Sequence, residues 1–136
     1  MTEYMDKVLI VDDVSAMRQL LGNVLGQLGY RNVFMVGTGE EAIERIKKEK
    51  FSVVMLDIDL PGISGLDTLA KLRAIRSDLF VVMISAHHSA RNVKEAIANG
   101  TDGFIAKPCQ RKKIDEVLQK YRRRGRKTVP AVEIDW

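Results

Sequence analysis

Five times along the chain, a short apolar run gives way to a segment in which apolar residues recur at spacings of three and four. Lys7 to Val11 is followed by Met17, Leu20, Leu21, Val24, Leu25 and Leu28, and the second pattern stops at Gly29. A short apolar run bounded by polar residues predicts a buried strand, and the three-and-four spacing predicts an amphipathic helix with a glycine stop. Asn32 to Val36 leads in the same way to Ala42, Ile43 and Ile46, past Thr38 and Glu41, which stand three residues apart as in a capping box. Phe51 to Leu56 ends at Asp57, turns at Pro61-Gly62 and enters a helix carrying Leu66, Leu69, Ala70 and Ile75, with Ser64 and Asp67 at the capping positions. Leu79 to Ile84 ends at Ser85 before Val93, Ala96 and Ile97, and Gly103 to Ala106 ends at Lys107-Pro108 before Ile114, Val117, Leu118 and Tyr121.

Strands that are apolar throughout are expected where both faces of a sheet are covered, which favours parallel strands with helices on either side. The expectation is a doubly wound α/β domain of five parallel strands and five helices, occupying residues 1–122. Beyond it the helical spacing is lost and Pro130 intervenes, so residues 123–136 are expected to form a basic C-terminal tail or linker stub, too short for a second domain.

The formal charge of +4 would suggest a nucleic-acid binder, but its placement argues otherwise. Residues 1–119 hold 16 basic and 16 acidic residues, and residues 120–136 hold six against two, so the excess belongs to the stretch from Arg122 to Lys127. That stretch has no apolar helical face and no interleaved aromatics, and no specific nucleic-acid binding is expected from it. No apolar run reaches the roughly 20 residues needed to span a bilayer, and the first residues carry no leader pattern, so a soluble cytoplasmic protein without a membrane partner is expected. With Cys109 alone there is no internal disulfide, and no Cys/His cluster has the spacing of a zinc site.

In doubly wound sheets ligands bind beyond the carboxyl ends of the strands. The polar residues of this chain stand at those ends: Asp12 and Asp13 after the first, Asp57 after the third, Ser85 after the fourth and Lys107 after the fifth. Close carboxylates raise one another's pKa unless a cation sits among them, and a set of oxygen donors suits Mg²⁺ better than zinc or copper. A carboxylate can also be the nucleophile in phosphoryl transfer. Asp57, at the end of the central strand, is best placed for that role. A metal and Lys107 would neutralise charge on the phosphoryl oxygens, and the Ser85 hydroxyl could donate a hydrogen bond to one of them.

Four segments, VLIVDD, VVMLDIDLPGISG, VVMISA and GFIAKP, resemble in order and spacing the motifs of response-regulator receiver domains, over about residues 6–122. The resemblance implies a flavodoxin-like sheet of strand order 2-1-3-4-5. It implies phosphorylation of Asp57 by a sensor histidine kinase or a phosphotransfer protein, with Mg²⁺ held by Asp13, Asp57 and the backbone carbonyl of Asp59, and Asp12 in support. Ser85 and Lys107 look like the family's hydroxyl and lysine, and Phe104 like its switch aromatic. An output protein is then expected on the face around Phe104, and the chain would promote only its own aspartyl phosphorylation and dephosphorylation. Asp59 and His87 occupy the two variable positions that influence phosphoryl lifetime in this family. Phe104 stands where the chemotaxis member of the family carries tyrosine, so an output contact that needs that hydroxyl is not expected at this position.

Two other functions compete. Asp57-Ile-Asp59 resembles the DxD motif of haloacid-dehalogenase-like phosphatases, but there the motif lies on the first strand and an acidic metal pair comes late, the reverse of the order here. A receiver-like scaffold that binds partners without being phosphorylated would keep the same constellation. Cys109 reads as a small bystander, His87 and His88 as exposed or site-flanking side chains, and Arg111-Lys112-Lys113 as either a solvated helix start or a partner-binding patch.

Overall fold

The computed structural model describes residues 2–87 and 89–124 and the backbone of residues 133–135. The chain runs β1 (Tyr4–Val11), α1 (Ser15–Gln27), β2 (Tyr30–Val36), α2 (Gly39–Lys48), β3 (Val53–Asp57) and α3 (Gly65–Ile75). It continues with β4 (Phe80–Ser85), α4 (Ala90–Ala98), β5 (Gly103–Ala106), α5 (Arg111–Arg124) and β6 (Glu133–Asp135). Every pairing is parallel, and the first five strands lie in the order β2-β1-β3-β4-β5 implied by the resemblance. The sheet has a sixth strand that the sequence reading did not contain, because β6 pairs with the outer edge of β5. α5 also continues two residues past the boundary placed at 122.

The strands alternate their side chains between two cores, which is why they are apolar at consecutive positions. Leu9, Val11, Val54, Leu56, Val81, Met83 and Phe104 pack on one face with Ala42, Ile46, Leu69, Leu72, Val93 and Ala96 of α2, α3 and α4. Val8, Ile10, Val53, Met55, Val82, Ile84 and Ile105 pack on the other with Leu21, Val24, Leu25, Ile114, Val117 and Leu118 of α1 and α5. All of these side chains are buried.

Helix boundaries follow the capping chemistry. The Thr38 hydroxyl accepts from the Glu41 N–H at 3.1 Å, and the Glu41 carboxylate accepts in return from the Thr38 hydroxyl at 3.1 Å and the Gly37 N–H at 3.3 Å. Ser64 and Ser89 accept from Asp67 N–H and Asn92 N–H at the starts of α3 and α4. After α1 the chain turns at Gly29 with φ of +103°, a conformation that side chains with a Cβ rarely adopt. No described helix is long and apolar enough to cross a membrane. Of the basic tail, residues 125–132 and 136 lie outside the described residues.

Candidate functional site

The parallel register brings the carboxyl ends of β1, β3, β4 and β5 to one edge, with Val11 opposite Leu56, Asp57 opposite Ile84 and Ser85 opposite Ala106. Ladder-like hydrogen bonds continue past the strand ends, from Asp12 N–H to the Val36 carbonyl (3.2 Å), from Ile58 N–H to Ile84 (2.9 Å) and from Lys107 N–H to Ser85 (2.9 Å). The residues just beyond the strands are therefore as fixed as the strands. Gly65 opens α3 hard against this edge, since a Cβ there would lie 2.1 Å from the Asp57 carbonyl oxygen. No larger residue fits without moving the backbone that carries Asp57.

Asp12 and Asp57 are buried, at 1% and 3% exposure, and the Lys107 ammonium stands between them at 3.3 Å from an oxygen of each. Each carboxylate uses its other oxygen on a backbone donor: Asp12 accepts from Val14 N–H at 2.9 Å and Asp57 from Asp59 N–H at 3.1 Å. Asp13 is exposed. One carboxylate oxygen from each of Asp12, Asp13 and Asp57 lies within 4.8 Å of the others, a spacing that can hold a metal ion. Three hard oxygen donors, two of them buried and, among the described residues, paired with the single ammonium of Lys107, fit a divalent oxygen-seeking cation.

Burial pushes the Asp57 carboxyl up to about 6, and the Asp12 charge adds to it, against the lowering effects of the Asp59 N–H and the Lys107 ammonium. Burial works against the charge of Lys107, but the neighbouring Asp57 and Asp12 carboxylates win and hold its pKa above the ordinary lysine value. The site is thus a desolvated, electron-rich pocket with a fixed cation on one side. Cys109, close by, is pushed up to about 11 by burial, so its thiol stays protonated at neutral pH.

Ser85 is fully buried, and its hydroxyl oxygen accepts from His87 N–H at 2.8 Å, which leaves the hydroxyl proton to be donated elsewhere. Asp59 and His87, both exposed, meet at 3.0 Å between Oδ2 and Nδ1 and join the two loops that flank Asp57. His88 lies outside the described residues. Phe104 is not at the strand end. It lies opposite Met83, two residues before the Ala106 that pairs with Ser85, fully buried on the face that packs against α4.

Two residues at this edge were not found in the sequence. Arg18 donates from Nη1 to the Asp12 carbonyl at 2.7 Å, from one turn into α1, and Asn92 donates from Nδ2 to the His87 carbonyl at 2.5 Å. Both are polar residues one turn inside a helix that begins at the edge, and that spacing could have flagged them.

The family model of the response regulator receiver domain matches residues 8–119. Chemotaxis protein CheY-3 of Vibrio cholerae is 37% identical over 116 residues, covering 84% of this chain and 89% of the relative. Chemotaxis protein CheY of Thermotoga maritima is 34% identical over 114 residues, covering 84% and 95%. Among solved structures, a CheY-like receiver domain from Methanospirillum hungatei superposes with a TM-score of 0.81 at 27% identity, covering 88% of this chain and 95% of that one. The CheX–CheY–BeF3–Mg²⁺ complex from Borrelia burgdorferi superposes with a TM-score of 0.81 at 29% identity, covering 85% and 87%. With its parallel sheet, its buried carboxylates at the strand ends and these matches, the chain belongs to the response-regulator receiver domains of two-component and chemotaxis signalling.

Proposed function

We propose that the chain is a phosphoacceptor switch in which Asp57 takes a phosphoryl group from a sensor histidine kinase or phosphotransfer protein and thereby changes a protein-binding face. The observation that carries this reading is the Asp12–Lys107–Asp57 arrangement, a buried carboxylate with a fixed ammonium at 3.3 Å. An Asp57 oxygen attacks phosphorus, the bond from phosphorus to the donor's nitrogen breaks, and an acyl phosphate forms. Lys107 stands where a phosphoryl oxygen's charge would develop, and the Ser85 proton is free to be donated to another. Asp12, Asp13, Asp57 and the Asp59 carbonyl would hold Mg²⁺, which supplies positive charge to the phosphoryl oxygens when bound. The part of the chain that carries this chemistry is residues 1–122, and residues 123–136 form its C-terminal extension.

The output face is taken to be the surface of α4, β5 and α5 around Phe104, because β5 lies beside the Ser85-bearing strand β4. The phosphorylation-independent scaffold remains the competing reading. Intact mass after incubation with acetyl phosphate and Mg²⁺ decides between them. One added phosphoryl group is expected, absent without Mg²⁺ and absent in Asp57→Asn. An unlabelled wild type would favour the scaffold, and a fully labelled Asp57→Asn would move the acceptor elsewhere.

The Asp59–His87 pair is expected to set how long the phosphoryl group survives. Both side chains are exposed, at 51% and 75%, so the pair contributes little to stability. What it does is tie together the loops on either side of Asp57, limiting the approach of water. His87→Ala is expected to shorten the acyl phosphate half-life several-fold with an unchanged melting temperature, measured by following loss of the label over time. An unchanged half-life would remove the pair from that role.

A further inference from the structure

β5 has four residues and, in a five-stranded sheet of this order, would be the last strand, with one row of backbone N–H and C=O groups facing outward. Here that row is covered. Glu133, Ile134 and Asp135 lie parallel to β5, opposite Gly103, Phe104 and Ile105. β6 also touches α5, so it sits on the β5–α5 side of the molecule. The family match ends at residue 119, so this strand lies outside the part of the chain that the family model matches.

Three features of the pairing matter. The ladder is only three residues long, so β6 belongs to the low-stability end of the structure, where local opening is easiest. Ile134 is paired with Phe104, whose other neighbour is Met83 of β4, the strand that carries Ser85 two residues further on. β5 is therefore held between the strand that reports the phosphoryl site and the strand that caps the sheet, and a shift of β5 disturbs both ladders. Finally, a partner that docks on the β5 edge meets backbone groups already paired to β6, so the two compete for the same donors and acceptors.

We infer that Glu133–Asp135 is a built-in occupant of the output face: the strand docks on β5 when Asp57 is unmodified and is released when Asp57 is phosphorylated, uncovering an edge that takes an extended peptide. The release rests on the phosphoacceptor reading above; the docking does not. Because the occupant is covalently attached, it is present at high effective concentration at rest, and a partner must outcompete it until phosphorylation loosens it.

The single tryptophan of these 136 residues, Trp136, follows β6 directly in sequence and serves as a reporter in the intact chain. Acrylamide quenching and fluorescence anisotropy of Trp136 are measured with and without Mg²⁺ and beryllofluoride, while ¹⁹F NMR reports bound beryllofluoride independently. The reference is Ile134→Pro/Asp135→Pro. Successive strand residues turn their N–H groups to opposite sides, so two adjacent prolines remove a ladder donor whichever one faces β5. At rest, wild-type Trp136 is expected to be quenched several-fold more slowly than in the proline variant. Bound beryllofluoride is expected to bring it to the variant's value and to leave the variant unchanged. Equal quenching of the two proteins at rest would overturn docking. A bound fluorine signal with Trp136 still protected would overturn release. Absence of any bound fluorine signal would overturn the reading of the Asp57 site and the release with it, while the comparison at rest still decides docking.

Discussion

Replacing Asp57 by asparagine is expected to raise the stability of the metal-free protein at pH 7 by on the order of 2–3 kcal/mol, although it removes the proposed acceptor. The reason is that burial lifts the Asp57 carboxyl from its ordinary 3.8 to about 6. Between those values the folded state holds more protons than the unfolded state, so stability falls as pH rises through this window and stays at the lower level above it. Below 3.8 the group is neutral in both states, and wild type and Asp57→Asn should converge. Urea midpoints from pH 3.5 to pH 8 are expected to show the wild type losing ground to the variant across the window. Mg²⁺ should then restore much of the difference at pH 7 in wild type and little in Asp57→Asn, because binding to the folded state adds stability by mass action. Parallel pH curves for the two proteins would show that burial does not strain this carboxylate.

That Asp57 is strained chiefly by burial could not be read from the chain. The sequence placed Asp12, Asp13 and Asp57 together, and repulsion among carboxylates looked like the dominant effect. In the fold, desolvation of Asp57 is the largest contribution, and Asp13 is exposed. Desolvation depends on how completely the assembled strand ends bury the carboxylate, at 3% exposure, and no local pattern encodes that. What local pattern does encode came through: apolar runs end at the residues that converge, and Thr38, Ser64 and Gly29 mark helix boundaries that the structure keeps. Strand order was accessible only through the family resemblance, because parallel pairing is made between residues far apart in sequence. β6 was missed for a different reason. It is three residues long and follows Pro130, too short to show any periodicity, and its pairing depends on the edge that β5 happens to leave open.

Removing Lys107 is expected to do the opposite of removing Asp57. Lys107→Ala takes away the ammonium that Asp12 and Asp57 share and leaves both without an ion-pair partner among the described residues, which costs about 3 kcal/mol at pH 8, the lower end of what breaking a buried pair costs. The lower end applies because Asp57 already lies near 6 and can escape part of the penalty by taking a proton. Lys107 itself does not titrate in the working range. Its pKa is raised, so its contribution is complete below the ordinary lysine value and is lost only as pH climbs through the higher folded one. The pH dependence of the variant therefore comes from the carboxylates. With Lys107 gone, Asp57 moves further above 6, and the penalty grows as pH rises through that value. Below 3.8, where Asp57 is neutral whether folded or not, it shrinks toward what Asp12 and lost packing contribute. The same reasoning predicts coupling between the two sites, since Lys107→Ala made on Asp57→Asn leaves only Asp12 unpaired and should cost distinctly less than on wild type. Urea midpoints of the four proteins at pH 4 and pH 8 measure both effects. An equal cost at both pH values, or in both backgrounds, would mean that the 3.3 Å contacts of Lys107 do not balance the charge of Asp57.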